Sequence, residues 1–129
     1  LPRWLEGEIA PQAQDDALAT TCRPVRKESG RIDWRQPAAA IERAVRAYTP
    51  WPSAFTLWNG RLLKILGARV VQRQAAAAPG TVLATADGPA VVTGEGLLAL
   101  LTVQIEGRRA LPAQDFVRGQ PGFIGAILE

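Results

Sequence analysis

The chain has 129 residues, an apolar share of 47% and a net charge of +3, enough for one domain whose core needs no disulfide staples. With no histidine and a single cysteine, Cys22, neither a zinc site from the usual ligands nor a histidine-activated nucleophile can be assembled. No apolar run reaches the roughly 18 residues of a membrane helix, the opening residues carry no secretory pattern, and the unpaired Cys22 fits a reducing, cytoplasmic setting.

Residues 1–7 read as the end of a helix stopped at Gly7. Residues 8–31 are polar, hold prolines at 11 and 24, and show no sustained period. They read as an extended connector between domains, because so long a structureless run is unusual inside a compact fold. A helix follows, with Pro37 at its first position. Ile41, Val45 and Tyr48 form its apolar stripe, while Arg43 and Arg46 lie opposite. Thr49 before Pro50 ends it.

From residue 54 the period becomes that of strands. Residues 54–58 form the first, and Asn59-Gly60 is a hairpin turn, since both residues tolerate positive φ. Leu63 and Ile65 alternate with Lys64, and Ala68 and Val70 with Arg69. The break between the two sets places a bulge at Gly67. Residues 75–80 are a loop. Strands over 81–86 and 90–93 flank a second turn at Asp87-Gly88. Residues 97–105 form a long strand, apolar on both faces in its first half, as a central strand is. A short helix over 112–117 ends at Gly119. The fold class expected is mainly β with short helices: a five-stranded, open oligonucleotide-binding (OB)-like barrel preceded by one helix and an extended linker. The chain opens on Leu1-Pro2-Arg3-Trp4 without an initiating methionine and reads as the interior of something longer.

The positive charge is local. Residues 23–46 carry seven bases (Arg23, Arg26, Lys27, Arg31, Arg35, Arg43, Arg46) against three acids, whereas residues 1–22 carry one base against four acids. A block of this kind is a candidate phosphate-binding surface, set against the plainer reading of a solvated face. Arg46 has Glu42 or Asp33 as a partner, which leaves Arg43 the better phosphate candidate. Arg108 and Arg109 sit in a loop, equally open to a phosphate backbone or to solvent. Trp34 is expected as a core anchor. Trp51, between two prolines, could be a stacking platform, but is expected to pack the helix onto the barrel. Asp15, Asp16 and Asp87 are isolated carboxylates with no acid–base geometry to argue from.

Four segments in register carry a resemblance. Residues 27–34, KESGRIDW, are similar to a K-E-x-x-x-I-D-W junction. Residues 41–54, IERAVRAYTPWPSA, resemble I-x-R-x-I-R-A followed by P-W-P-x-A. Residues 79–82 lead through Asp87-Gly88 to Thr93-Gly94, and residues 106–119, EGRRALPAQDFVRG, resemble a closing G-K-x-A-x-x-A-Q-D-F segment. Together they resemble the C-terminal half of the methionyl-tRNA formyltransferases, and residues 1–21 resemble the end of that family's catalytic domain.

The resemblance implies a parent enzyme that moves a formyl group from 10-formyltetrahydrofolate to methionine on initiator tRNA at translation initiation, with its catalytic Asn, His and Asp in a domain before Leu1. It implies a division into a catalytic-domain tail (1–22), a basic linker (23–33) and an OB-like tRNA-binding domain (34–129). The tRNA-binding candidates are Arg23, Arg26 and Lys27 of the linker, with Arg43, Arg108 and Arg109. No catalytic, cofactor or metal residue is expected in this chain, nor catalysis by it alone. The partners implied are initiator Met-tRNA and the N-terminal catalytic domain, with no membrane, in a monomer. Two alternatives stand beside this reading. One is the matching domain of another formyltetrahydrofolate-using enzyme, an amino-sugar formyltransferase or a formylfolate hydrolase or dehydrogenase. The other is a free-standing oligonucleotide-binding barrel.

Overall fold

The computed structural model describes Gly7 and residues 10–129; apart from Gly7, the expected opening helix lies outside these residues. Every residue from 10 to 29 is exposed. This connector carries two single 3-10 turns, Asp16–Leu18 and Lys27–Gly30. Both are held by short polar side chains of the kind that stabilise local turns. The Asp15 carboxylate accepts from the Ala17 N–H (2.9 Å), and Ser29 Oγ accepts from the Arg26 N–H (3.1 Å). The chain joins the domain at Gly30, where a Cβ would run into the Ser53 carbonyl. The Ile32 N–H then bonds to the Phe55 carbonyl (2.8 Å).

Helix α1, Ala38–Ala47, buries Ala38, Ile41 and Val45, the i, i+3, i+7 stripe of an amphipathic helix, and packs on the sheet. Pro37 caps it rather than opening it. The Glu42–Arg46 pair forms at 2.7 Å across one turn.

Strands β1 (Ala54–Trp58) and β2 (Arg61–Val71) form a hairpin whose two turn residues, Asn59 and Gly60, have φ of 50° and 73°. The bulge falls at Gly67, where the β2–β5 register shifts on both sides. Strands β3 (Val82–Thr85) and β4 (Gly88–Val92) form the second hairpin. Its turn is Ala86-Asp87, one residue earlier than expected. Gly88 is instead the first paired residue of β4, opposite Thr85, and its carbonyl accepts the Thr85 hydroxyl (2.7 Å). Strand β5, Leu97–Ile105, is central, and the short β6, Leu111–Pro112, leads into helix α2, Ala113–Gly119.

The order is β1-β2-β5-β4-β3, all antiparallel, with β6 beside β5. The OB-like class is as expected, with six strands rather than five. The sixth was missed because it is two residues long and ends in a proline, which offers no ladder donor. The sheet stays open. Residues 125–129 span its two edges by backbone bonds: Glu129 with Leu57 of β1 in both directions (2.9 and 3.0 Å), the Leu128 N–H to Gly80 (2.9 Å), and the Val82 N–H to Ala126 (2.9 Å). Inside, Trp58, Phe116 and Phe123 meet edge-to-face with ring centroids 5.0–5.7 Å apart. Such pairs add about 0.5–1.5 kcal/mol each beyond area burial.

Candidate nucleic-acid interface

Strand alternation builds the site. Ala54, Leu63, Ile65, Val103 and Ile105 face the core and are buried, so their sequence neighbours face outward. Register then aligns Phe55 of β1, Lys64 of β2 and Gln104 of β5 side by side. These three form the floor of a cleft of about 480 Å³. Trp51, Pro52, Lys27 and Glu28 line it too, as do Glu106 and Gly107 of the β5–β6 turn.

Trp51 does not pack the helix onto the barrel as expected: it is 61% exposed. The corner is made by its neighbours. Pro52 and Ser53 are buried. Ser53 takes a φ of 70° and is tied back by its N–H to the Tyr48 carbonyl (2.8 Å) and its hydroxyl to the Pro50 carbonyl (2.9 Å). With the turn fixed on both sides, the indole is left against the cleft.

Of the basic candidates, Lys27 lines the cleft. Arg26 precedes it and Arg23 lies farther up the connector, both exposed. Arg108 and Arg109 continue the turn from Gly107 and are exposed. Two side chains hold that turn: Gln104 Nε2 donates to the Arg108 carbonyl (2.8 Å), and the Arg61 guanidinium to the Glu106 carbonyl (2.9 Å). Arg43 is exposed on α1 and does not line the cleft. None of these six candidates makes an ion pair with another described residue; Arg35, Arg46, Arg69 and Arg118 do. Lys64 was missed as a site residue, although its place between Leu63 and Ile65 marked it as outward.

Asp33 pairs with Arg35 rather than Arg46. The guanidinium donates to both carboxylate oxygens at 2.9 Å, and the Arg35 N–H adds a third bond at 3.1 Å. The Arg35 side-chain bonds, then its backbone N–H, hold the Asp33 carboxyl below the usual aspartate range. Trp34 beside it is the expected anchor, 5% exposed.

The outer face of this small open sheet thus brings an exposed indole, a phenyl ring, an amide and two lysines to one cleft. The chain belongs to the formyl transferase C-terminal domain family, whose sequence pattern matches residues 24–121. Its relatives include the methionyl-tRNA formyltransferases of Roseiflexus sp. RS-1 (55% identical over 92% of this chain), Chloroflexus aggregans (46% over 92%) and Myxococcus xanthus (45% over 92%). The chain spans 37–39% of the length of these relatives. Among solved structures, HypX from Aquifex aeolicus in complex with tetrahydrofolic acid shares the fold. Its TM-score is 0.69 at 19% identity, over 97% of this chain and 22% of that one. No helix among the described residues is long and apolar enough to cross a membrane.

Proposed function

We propose that this chain is the C-terminal, tRNA-holding part of a methionyl-tRNA formyltransferase, with residues 1–22 the tail of the catalytic domain, 23–33 a basic linker and 34–129 the binding domain. The whole enzyme would move a formyl group from 10-formyltetrahydrofolate to the methionine of initiator tRNA in the cytoplasm. The folate and the catalytic residues would belong to the preceding domain, and the enzyme would act as a monomer. One observation carries the reading: Lys27 and Lys64 line one cleft, and the exposed Arg108 and Arg109 follow directly on its Gly107. The names of the relatives at 45–55% identity support it, and favour it over an amino-sugar or formylfolate enzyme.

Phosphate contacts position an RNA without reading its sequence. The linker bases Arg23, Arg26 and Lys27 would meet the phosphate backbone as the chain leaves the catalytic domain, and Arg108 and Arg109 would meet it across the cleft. Arg43 is kept as a separate contact on α1. The test is a titration of the 129-residue chain with initiator tRNA at several salt concentrations. Three to five phosphate contacts give a log–log slope of roughly −2 to −4. An affinity that does not change with salt overturns the proposal.

A further inference from the structure

We infer that the cleft beside the connector takes a single unpaired nucleotide of the bound RNA, its base stacked on Trp51 and its phosphate held between Lys27 and Lys64. The inference rests on the RNA-holding reading and goes beyond it, because phosphate contacts alone ask for no aromatic. Trp51 is 61% exposed on a turn fixed by Pro52 and Ser53. A large rigid indole held in solvent is a platform every base can use, because every base has a π-face. Phe55 beneath it supplies an apolar floor, and the cleft, at about 480 Å³, is of ligand size.

The charges limit what enters. Lys27 and Lys64 are offset by Glu28 and Glu106 at the same cleft. Two carboxylates beside two lysines leave the cleft without net positive charge, so it draws in no continuous run of phosphodiesters but accommodates one base with its own phosphate at the lysines. The bases Arg26, Arg61, Arg108 and Arg109 are exposed and do not line the cleft. The rest of the backbone would run there, and the cleft would accept only what can leave a helix.

The experiment compares two RNA probes of matched phosphate count on the 129-residue chain: a short unstructured strand and a blunt duplex. Trp51→Ala is expected to weaken binding of the strand at least about fivefold and to leave duplex binding and the melting temperature unchanged. Trp51→Phe retains most of the strand affinity, and Lys64→Gln lowers its salt slope by about one unit. Equal losses on both probes, no loss on either, or a marked fall in melting temperature for Trp51→Ala overturn the stacking site while leaving salt-dependent tRNA binding standing. Failure of the unaltered chain to bind the strand overturns this inference, and failure to bind initiator tRNA overturns the RNA-holding reading with it.

Discussion

The indole N–H of Trp34 donates to Thr56 Oγ1 at 3.0 Å, and the Thr56 hydroxyl donates onward to the Glu129 carbonyl at 2.7 Å. Thr56 is fully buried, so one side chain ties the approach to α1, the first strand and the final residues together. Thr56→Val keeps the shape but strands the buried Trp34 N–H, while the Glu129 carbonyl keeps only its bond from the Leu57 N–H. Such a loss costs roughly 1–3 kcal/mol. Urea denaturation is expected to show a lower midpoint for Thr56→Val with near-complete recovery in Thr56→Ser; equal stability of the two variants contradicts the relay. Trp34→Ala is expected to cost more, about 3–5 kcal/mol, as a large buried aromatic does.

Arg26 and Lys27 sit at the end of a connector whose side chains are all exposed. Surface changes of this kind alter stability by less than about 0.5 kcal/mol. Changing both to Glu is expected to leave thermal melting nearly unchanged and to weaken tRNA binding strongly, since two attractions become repulsions. Early melting with normal binding by the folded fraction makes the pair structural.

Gly94 donates its N–H to the Trp34 and Gln36 carbonyls (2.9 and 3.1 Å), so close that an added Cβ would strike the Arg35 carbonyl. Gly94→Ala is therefore expected to destabilise by about 1–3 kcal/mol or more, the usual cost of forced overpacking. Gly107, with nothing near its Cβ position but a φ of 78°, is expected to lose only about 1 kcal/mol on the same change, from its left-handed backbone alone. Chemical denaturation of both variants checks the order.

Asp33 titrates below an ordinary aspartate because Arg35 bonds its charged form. A depressed carboxyl contributes stability that is present above the unfolded value, about 3.9, and is lost as pH falls through the folded one. In a carboxyl NMR titration, Arg35→Gln is expected to raise the Asp33 midpoint toward that ordinary value. An unmoved midpoint removes the assignment.

Local signals were legible. Asn59-Gly60 needed only two residues with positive φ, and the Gly67 bulge only a break in alternation. Trp34 was legible as an anchor because a tryptophan leading into an apolar helix has a core to enter. Trp51 was not: its exposure depends on Pro52 and Ser53 taking the corner, a competition between neighbours that residue type alone does not rank. The Asp87-Gly88 turn shifted by one residue because the Thr85 hydroxyl draws Gly88 into the ladder. The cleft itself was invisible, since Phe55, Lys64 and Gln104 meet only through the register of three strands, and Lys27 arrives from 37 residues before Lys64 in the sequence.

The bonds from residues 125–129 to Leu57, Gly80 and Val82 also set an order of events. β1 and β2 can pair as soon as their hairpin has been synthesised, because their contacts are local. On the outer edge of β1, Phe55 is met early by Ile32, whereas Leu57 waits for Glu129 and the Thr56 hydroxyl for a carbonyl 73 residues later. On a ribosome, where the chain emerges N-terminal first, β1 would be held on its outer side by Ile32 alone, at Phe55, until residues 125–129 follow. Residues 125–129 would then reach both edges of the sheet as one stretch, joining β1 at Leu57 and the β3 side at Gly80 and Val82.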